Sequence, residues 1–242
     1  MEDNKLFTII IPTLDEEKKI TGCLKSITGS YPCSAEVLIV DGGSKDKTLE
    51  LARNVDTGIK TKIFRSEKTG LARQLDLGVK KAKGEYLVFL HVDCRLPANA
   101  FSSIKGFFKK YGQKAVGGAF KMKIEGSRFF YKVFSLGGDI YCNTTKTFFG
   151  DRAMFISKSY YEKIGGFRDI PIMADVDLSR RMKKAGVVKQ LKDTVLSDGR
   201  KFEKESFIRM IYLQVWVLSA FKKGIDPELI RERYYYSQKK VK

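Results

Sequence analysis

The chain has 242 residues, 43% of them hydrophobic, which is enough for one large α/β domain with a sizeable core. Its 46 basic and 28 acidic residues give a net charge of +18, which favours an anionic partner such as nucleic acid, an acidic membrane surface or a phosphorylated substrate. The basic residues are spread along the chain without a nucleic-acid-binding motif, so we expect no nucleic-acid partner.

Cysteine spacing and the absence of long apolar runs bear on the cellular location. The four cysteines form neither a C-x-x-C pair nor a zinc-binding pattern, which predicts reduced thiols in a cytosolic protein. The residues after Met1 lack the features of a signal peptide, and no apolar run reaches the roughly 18 to 20 residues that span a bilayer. We therefore expect a cytoplasmic protein.

In chain order, the first half alternates apolar runs with segments of helical spacing. Strands are predicted at 6–11, 37–40, 62–65 and 86–90, and one helix is predicted in each interval between them. This order predicts a parallel sheet with helices on its faces. Thr13 and Glu16 fit a capping box, so we expect the first helix to follow the first strand directly, and Ser44 or Asp46 to cap the second helix.

The second half is predicted to mix shorter strands with helices. Strands are predicted at 116–124, 153–156, 187–191 and 195–196. Helices are predicted at 101–111, at 129–136, after a cap at Ser157, at 175–185, at 207–221 and at 228–236. No linker or repeat divides the chain, so we expect a single domain over residues 1–242 with a helical C-terminal end.

Polar residues end the apolar strand predicted at 86–90. Ligands of open α/β sheets bind beyond the carboxyl ends of the strands, and here the strand is followed by His91, Val92 and Asp93. His91 and Asp93 are two residues apart, so their side chains point to the same side if the chain is extended there. An imidazole beside a carboxylate suits a divalent metal such as Mn²⁺, although an acidic turn before a helix explains the same residues equally well.

Five stretches, in this order and spacing, closely resemble family 2 glycosyltransferases. They are Ile-Ile-Ile-Pro-Thr-Leu-Asp-Glu-Glu (9–17), Glu-Val-Leu-Ile-Val-Asp-Gly-Gly-Ser-Lys-Asp (36–46), Gly-Leu-Ala-Arg-Gln (70–74), Gly-Glu-Tyr-Leu-Val-Phe-Leu-His-Val-Asp (84–93) and the acceptor-side motif at 165–181. Within the family, Leu-His-x-Asp and Phe-Gly-Asp-Arg (149–152) resemble a compact bacterial or archaeal branch. The resemblance implies a glycosyltransferase-A fold, a Rossmann-like and mostly parallel sheet flanked by helices.

The resemblance also implies a division of the domain and a nucleotide-sugar donor, expected to be a UDP- or GDP-sugar. The divisions are a nucleotide-sugar-binding half (1–97), an acceptor half (98–200) and C-terminal helices (201–242). The matched donor positions are Pro12, Thr13 and Glu16 at the nucleoside, Asp41 at the base, Val92 and Asp93 at the D-x-D position, and Arg73 and Arg200 near the diphosphate. Each of these residues also has a purely structural interpretation. Thr13 and Glu16 would cap the first helix, Asp41 would form a turn, and Arg73 would lie on a solvated helix face.

The resemblance assigns the metal to the residues that stand at the family's D-x-D motif. It implies that Asp93 holds Mn²⁺ or Mg²⁺ against the donor diphosphate and so neutralises charge on the leaving group. His91 replaces the first Asp of the motif and is the chain's only histidine. It is open whether His91 binds the metal, contacts phosphate or shapes the loop.

The resemblance identifies Asp175 as the general base of an inverting transfer. The base takes the proton of the acceptor hydroxyl as that hydroxyl attacks the sugar. The alternative is a first-turn carboxylate that stabilises a helix, and a retaining route also stays open. Asp177 is spaced to pair with Arg181. The Q-x-x-R-W motif of processive members is absent, which predicts transfer of one sugar.

Two rival functions remain at this point. One is a polyprenyl-phosphate sugar synthase, and the other is a non-catalytic protein that binds nucleotides or nucleic acid. A dinucleotide oxidoreductase is disfavoured, because no G-x-G-x-x-G follows the first strand.

The C-terminal region suggests a membrane contact. Residues 206–221 are mostly apolar and include the only tryptophan, and residues 199–242 hold 11 basic and 5 acidic side chains. This predicts either an interfacial helix at the inner face of an anionic membrane or a helix packed into the core. The interfacial alternative predicts salt-sensitive liposome binding that weakens when Lys222, Lys223, Lys239 and Lys240 become Gln.

Overall fold

The computed structural model describes residues 7–28, 34–67, 70–199 and 207–239. Within these residues one sheet contains the strands β1 (Phe7–Thr13), β2 (Ala35–Asp41), β3 (Lys60–Arg65), β4 (Tyr86–Phe89), β5 (Cys94–Arg95), β6 (Ala115–Ile124), β7 (Met154–Ser157) and β8 (Val187–Ser197). The α-helices are α1 (Ile20–Thr28), α2 (Thr48–Asn54), α3 (Leu71–Lys81), α4 (Ala100–Tyr111), α5 (Phe129–Thr145), α6 (Lys158–Lys163), α7 (Ala174–Ala185), α8 (Phe207–Lys222) and α9 (Pro227–Lys239). A 3₁₀ turn at Gly150–Arg152 precedes β7.

The strand order is β3-β2-β1-β4-β7-β6-β8-β5. β1 pairs in parallel with β2 and β4, and β2 pairs in parallel with β3, which confirms the parallel first half. β7 is antiparallel to β4 and β6, whereas β6 and β8 are parallel and β5 is antiparallel to β8. The predicted mostly parallel sheet is therefore present, with its antiparallel pairs in the second half.

Buried side chains cover both faces of the sheet. In β1, Ile9 and Ile11 pack in a cluster that includes side chains of α1 and α4. Ile10 packs in the cluster on the other face, which includes side chains of α3 and α7. Every residue of β1 is buried, which explains why its sequence is continuously apolar rather than alternating.

Two predictions of local structure are wrong. β1 continues through Pro12 and Thr13, because Thr13 pairs with Asp41 of β2, and α1 begins only at Ile20. Thr13 is therefore a strand residue and not the cap of α1. The two strands predicted at 187–196 are one strand, β8, whose pairing with β6 shifts register between Ala119 and Lys121.

Asp46 and Ser157 bind amides at the starts of α2 and α6, and Ser157 holds the N-cap position of its helix, whereas Lys47 holds that position in α2. The carboxylate of Asp46 accepts a hydrogen bond from the amide of Thr48, the first residue of α2, at 2.9 Å. The hydroxyl of Ser157 accepts one from the amide of Tyr160 at 3.3 Å and so caps α6. These side chains satisfy amides that lack partners within the helix.

Three of the four cysteines, Cys23, Cys94 and Cys142, are buried thiols outside any disulfide of the described residues, and Cys33 lies outside those residues. In the part of the chain that the structure describes, no helix is long and apolar enough to cross a membrane.

Candidate active site

The antiparallel pairing of β4 with β7 creates the centre of the site. Phe89 at the end of β4 pairs with Met154 at the start of β7. Residues that follow β4 therefore lie beside residues that precede β7. This register brings His91 and Asp93 next to the 3₁₀ turn Gly150–Arg152, although the two segments are far apart in the sequence.

Gly150 is the point where His91 and Asp175 meet. Its amide donates a hydrogen bond to Oδ2 of Asp175 at 2.7 Å. A Cβ atom added to Gly150 would lie 2.5 Å from Nε2 of His91 and 3.6 Å from Oδ2 of Asp175. A glycine is needed where side chains approach the backbone this closely. The structure thus brings together the predicted base and the histidine of the Leu-His-x-Asp motif.

Asp175 lies in the first turn of α7, where its carboxylate also accepts a hydrogen bond from the amide of Val176 at 2.8 Å. Removal from water raises the pKa of this carboxyl above its usual range, and Asp151 adds to the rise. The two amides and His91 act in the opposite direction. A carboxylate with a raised pKa is better suited to accept a proton near neutral pH.

The backbone is strained beside this carboxylate and beside the 3₁₀ turn. Met173 has φ 65° and Ala153 has φ 45°, a left-handed region that residues with side chains rarely adopt. Met173 immediately precedes α7, and Ala153 follows the turn that carries Gly150. Strain of this kind concentrates at functional sites.

Asp93 and Asp151 lie on either side of the buried thiol of Cys94. Its sulfur is 3.4 Å from Oδ1 of Asp93 and 3.3 Å from the carbonyl oxygen of Asp151. Oδ1 of Asp151 is buried and has no hydrogen-bond partner in the described ranges. Asp151 was not predicted as a site residue, although the Phe-Gly-Asp-Arg motif that contains it was the available signal.

These carboxylates fit a metal that is shared with a substrate. Over the described residues, no group of three or more His, Cys, Asp and Glu side chains forms a complete metal site. Mg²⁺ and chemically similar ions are often held by one or two carboxylates together with substrate phosphates. Asp93 and Asp151, whose Oδ1 has no partner among the described residues, are the candidate carboxylates for that mode of binding.

Thr13 and Asp41 end the neighbouring strands β1 and β2, and both are buried. The carboxylate of Asp41 accepts hydrogen bonds from the amides of Gly43 and Ser44 at 3.0 and 3.1 Å, and from the Ser44 hydroxyl at 2.5 Å. Asp41 therefore does hold the turn, and recognition of a base stays a prediction. The Thr13 hydroxyl has no partner among the residues described.

Gln74 ties this edge to α3, a role that was not predicted for the last residue of the Gly-Leu-Ala-Arg-Gln motif. Its side-chain amide donates to the carbonyl oxygens of Thr13 at 2.9 Å and Val40 at 2.7 Å. A Cβ atom on Gly42 would lie 3.1 Å from the Gln74 nitrogen. This contact leaves little room for a side chain at position 42.

The loop after β1 is fastened to the loop after β2. The Asp15 amide donates to the Ser44 hydroxyl at 3.0 Å, and the Glu16 amide donates to the Thr48 hydroxyl at 2.7 Å. The Glu16 carboxylate pairs with Lys19 at 3.0 Å. These bonds fix the position of Glu16 at the rim of the edge formed by Thr13 and Asp41.

The remaining predicted donor residues differ in their surroundings. Pro12 lies buried in β1, and Val92 is buried in the core. Arg73, at the start of α3, forms a bidentate ion pair with Asp169, with Nε and Nη2 each 2.8 Å from a carboxylate oxygen. Arg200 lies outside the described residues.

The sequence model of glycosyl transferase family 2 matches residues 8–165, which carry β1, β2, β4 and the 3₁₀ turn at Gly150. The chain belongs to glycosyl transferase family 2. The resemblance drawn from its motifs is thereby confirmed. The match ends before Asp175, so the role of that residue in this family 2 chain depends on the geometry of the site.

Relatives and solved structures agree with this membership. AglE of Haloferax volcanii is 36% identical over 91 residues, which cover 36% of this chain and 30% of AglE. S. aureus TarS 1-349 in complex with UDP has a TM-score of 0.61 at 17% identity, over 80% of this chain and 60% of that chain. The mannosyltransferase PcManGT from Pyrobaculum calidifontis, in complex with GDP-Man and Mn²⁺, has a TM-score of 0.62 at 22% identity, over 81% and 57%. The structural likeness confirms the glycosyltransferase-A fold, and this chain matches less than two thirds of each of these proteins.

Proposed function

We propose that the chain transfers one sugar from a nucleotide-sugar donor to a hydroxyl group of an acceptor. The observation that carries this proposal is the convergence of Asp175, His91 and Gly150 at the carboxyl edge of the parallel strands. Ligands of open α/β sheets bind at that edge. Membership of family 2 supports the same reaction.

The donor is proposed to lie across the ends of β1 and β2. The buried Thr13 and Asp41 line the nucleoside end, and the amides of the turn after Asp41 face the same edge. Arg73 is proposed to reach the diphosphate by exchanging Asp169 for phosphate oxygens, which a guanidinium also binds in a bidentate manner. UDP in TarS and GDP-Man in PcManGT support a UDP- or GDP-sugar as the donor.

Asp175 is proposed to act as the general base. The acceptor oxygen forms a bond to the anomeric carbon while the bond from that carbon to the donor phosphate breaks, and its electron pair leaves with the nucleoside diphosphate. The proton of the acceptor hydroxyl moves to Asp175. A base that acts on the incoming oxygen supports a single displacement with inversion. Its pKa, raised by burial, favours proton uptake.

A divalent metal is proposed to bind at Asp93, with Asp151 as the second carboxylate. When bound, such an ion neutralises charge on the leaving diphosphate. The unpartnered, buried oxygen of Asp151 and the Mn²⁺ in PcManGT support this assignment. His91 faces Gly150 and Asp175, which favours a role in positioning the base over the alternatives of metal or phosphate binding.

Peripheral contact with an anionic membrane is also part of the proposal. The net charge of +18 and the apolar residues exposed on α8 support it. α8 is therefore only partly packed into the core. The salt-sensitive liposome binding predicted for the C-terminal lysines stays the test of this contact.

A thermal-shift panel tests the donor assignment. UDP-, GDP-, CMP- and dTDP-sugars are each added with and without Mn²⁺. We expect one UDP- or GDP-sugar to raise the unfolding temperature and Mn²⁺ to increase that rise. A panel in which no nucleotide sugar shifts the unfolding temperature would contradict the proposal.

A further inference from the structure

Two helices of the second half expose apolar side chains in rows. These are Phe129, Val133, Leu136 and Ile140 on α5, and Ile208, Ile211, Tyr212 and Val215 on α8. Their spacings of three and four residues place each set along one face of its helix. Soluble monomers rarely leave large contiguous apolar patches exposed, and such patches commonly mark binding sites.

A cleft of about 850 Å³ lies between these two helices. Val133 and Phe134 contribute to one wall and Leu213, Val215 and Leu218 to the other. The cleft has the size and largely apolar lining of a small-molecule site.

The cleft leads to the proposed site of transfer. Asp151 and Arg152 also line it. Asp151 directly follows Gly150, the residue whose amide binds Asp175. The cleft is therefore apolar along its walls and polar where it approaches the base, a distribution that matches an amphiphile with a hydroxyl-bearing head group.

The charges around the cleft are also consistent with a lipid surface. Asp139 is the only carboxylate in the sequences of α5 and α8, and it is paired with the buried Arg152. Lys132, Arg209 and Lys222 are the cations of these helices. Apolar surface bordered by cations is complementary to an anionic lipid surface.

We propose that this cleft holds the hydrocarbon chain of a glycolipid acceptor, with the sugar hydroxyl directed toward Asp175. The inference rests on the proposed function and adds the chemical class of the acceptor. The chain would occupy the space between α5 and α8, and the rows of exposed apolar residues would face the lipid from which the acceptor comes.

Binding of hexyl, octyl and decyl β-glucoside, each below its micelle concentration, tests the inference by titration calorimetry. Each buried methylene group should tighten binding about fourfold, so affinity should rise steeply with chain length. The same affinity for all three glucosides, or no binding of decyl glucoside, would overturn the inference.

A filled cleft provides the decisive variant. Gly137 lines the cleft and a Cβ atom added there meets open space, so Gly137→Phe fills the cleft without a backbone clash. Gly106 of α4 is equally open and lies outside the cleft, so Gly106→Phe is the matched control. If the ring displaces two methylene groups, Gly137→Phe should weaken decyl glucoside binding roughly 15-fold. Equal affinity in the two variants would overturn the inference.

A second pair of variants changes the polarity of the exposed surface and leaves the volume of the cleft largely unchanged. Val215 and Leu229 are 60% and 58% exposed, and only Val215 lines the cleft. Val215→Glu should remove the dependence on chain length, and Leu229→Glu should keep it. Sedimentation velocity of the wild type is run in parallel. A dimer that Val215→Glu dissociates would mean that a second copy covers this face, which would also overturn the inference.

Donor binding separates this inference from the proposed function. Gly137→Phe should give the wild-type thermal shift with the nucleotide sugar. If the donor binds but the affinity for the alkyl glucosides does not depend on chain length, only the inference of a lipid-binding cleft is refuted. If the wild type binds no nucleotide sugar, the proposed function itself is refuted.

Discussion

Substitution of Gly150 by Ala tests the geometry at the centre of the site. The added Cβ atom would lie 2.5 Å from Nε2 of His91, whereas ordinary contacts of this kind are about 3.5 to 4 Å apart. The His91 ring or the 3₁₀ turn must therefore move by about 1 Å. Gly150 does not have a positive φ, so the backbone itself tolerates Ala.

Two magnitudes follow from this displacement. Overpacking of a folded site typically costs about 1 to 3 kcal/mol of unfolding free energy. A shift of about 1 Å in a catalytic group lowers turnover by about 10²-fold. Because His91 is only half-buried, its ring can rotate away, so we expect a stability loss near the lower bound and a large loss of activity.

Urea unfolding and sugar-nucleotide turnover measure the two effects, with a double-mutant cycle as the control. His91→Ala removes the ring that the added methyl group would strike, so the double variant should regain most of the stability that Gly150→Ala loses. Gly106→Ala, at a helical glycine with open space, should be neutral or slightly stabilising. Wild-type stability and turnover in Gly150→Ala, or strictly additive effects in the cycle, would refute the contact between Gly150 and His91.

Three further predictions concern the metal, the donor edge and the charge of the base. Asp93→Ala should abolish Mn²⁺-dependent donor binding in a titration without lowering the unfolding temperature, and His91→Ala, which changes the positioning of the base, should leave that binding close to the wild type; wild-type donor affinity in Asp93→Ala would remove Asp93 from the metal site. Gln74→Leu leaves two strand-end carbonyls without their donor and should lower the unfolding free energy by about 1 to 3 kcal/mol in urea, so an unchanged midpoint would contradict its role. The stability of Asp175→Asn relative to the wild type should improve as pH rises from acid to neutral, because a carboxyl with a raised folded-state pKa contributes stability that is fully present below its ordinary pKa of about 3.9 and is lost as pH rises through the folded pKa. Thermal unfolding of both proteins across this pH range measures the change, and a difference between them that does not depend on pH would argue against the raised pKa.

The sequence predicted the parallel half of the sheet well because those strands are buried on both faces. Their apolar runs are continuous, as the fully buried β1 shows, and burial of this kind leaves a clear pattern. It did not predict β5, which has two residues and forms only by pairing with β8. It also divided β8 in two, since the register shifts between β6 and β8 interrupt the regular pattern.

The candidate site was only partly predictable for a related reason. His91 and Asp93 were found because they directly follow a strong strand signal. Gly150 and Asp151 join them through the register of β4 with β7, which the sequence does not express. The capping box at Thr13 had the right residue types, but pairing of Thr13 with Asp41 keeps it in the strand.

The most direct test of the central claim is release of nucleoside diphosphate by the wild type and by Asp175→Asn. The donor is whichever UDP- or GDP-sugar binds in the thermal-shift panel, with Mn²⁺ present, and its affinity for both proteins is measured by titration. Asn is nearly isosteric but cannot take the proton, so we predict unchanged donor affinity and turnover that is slower by about 10² to 10⁴-fold. Equal turnover by the two proteins at equal donor occupancy would contradict the assignment of Asp175 as the base of a sugar transfer.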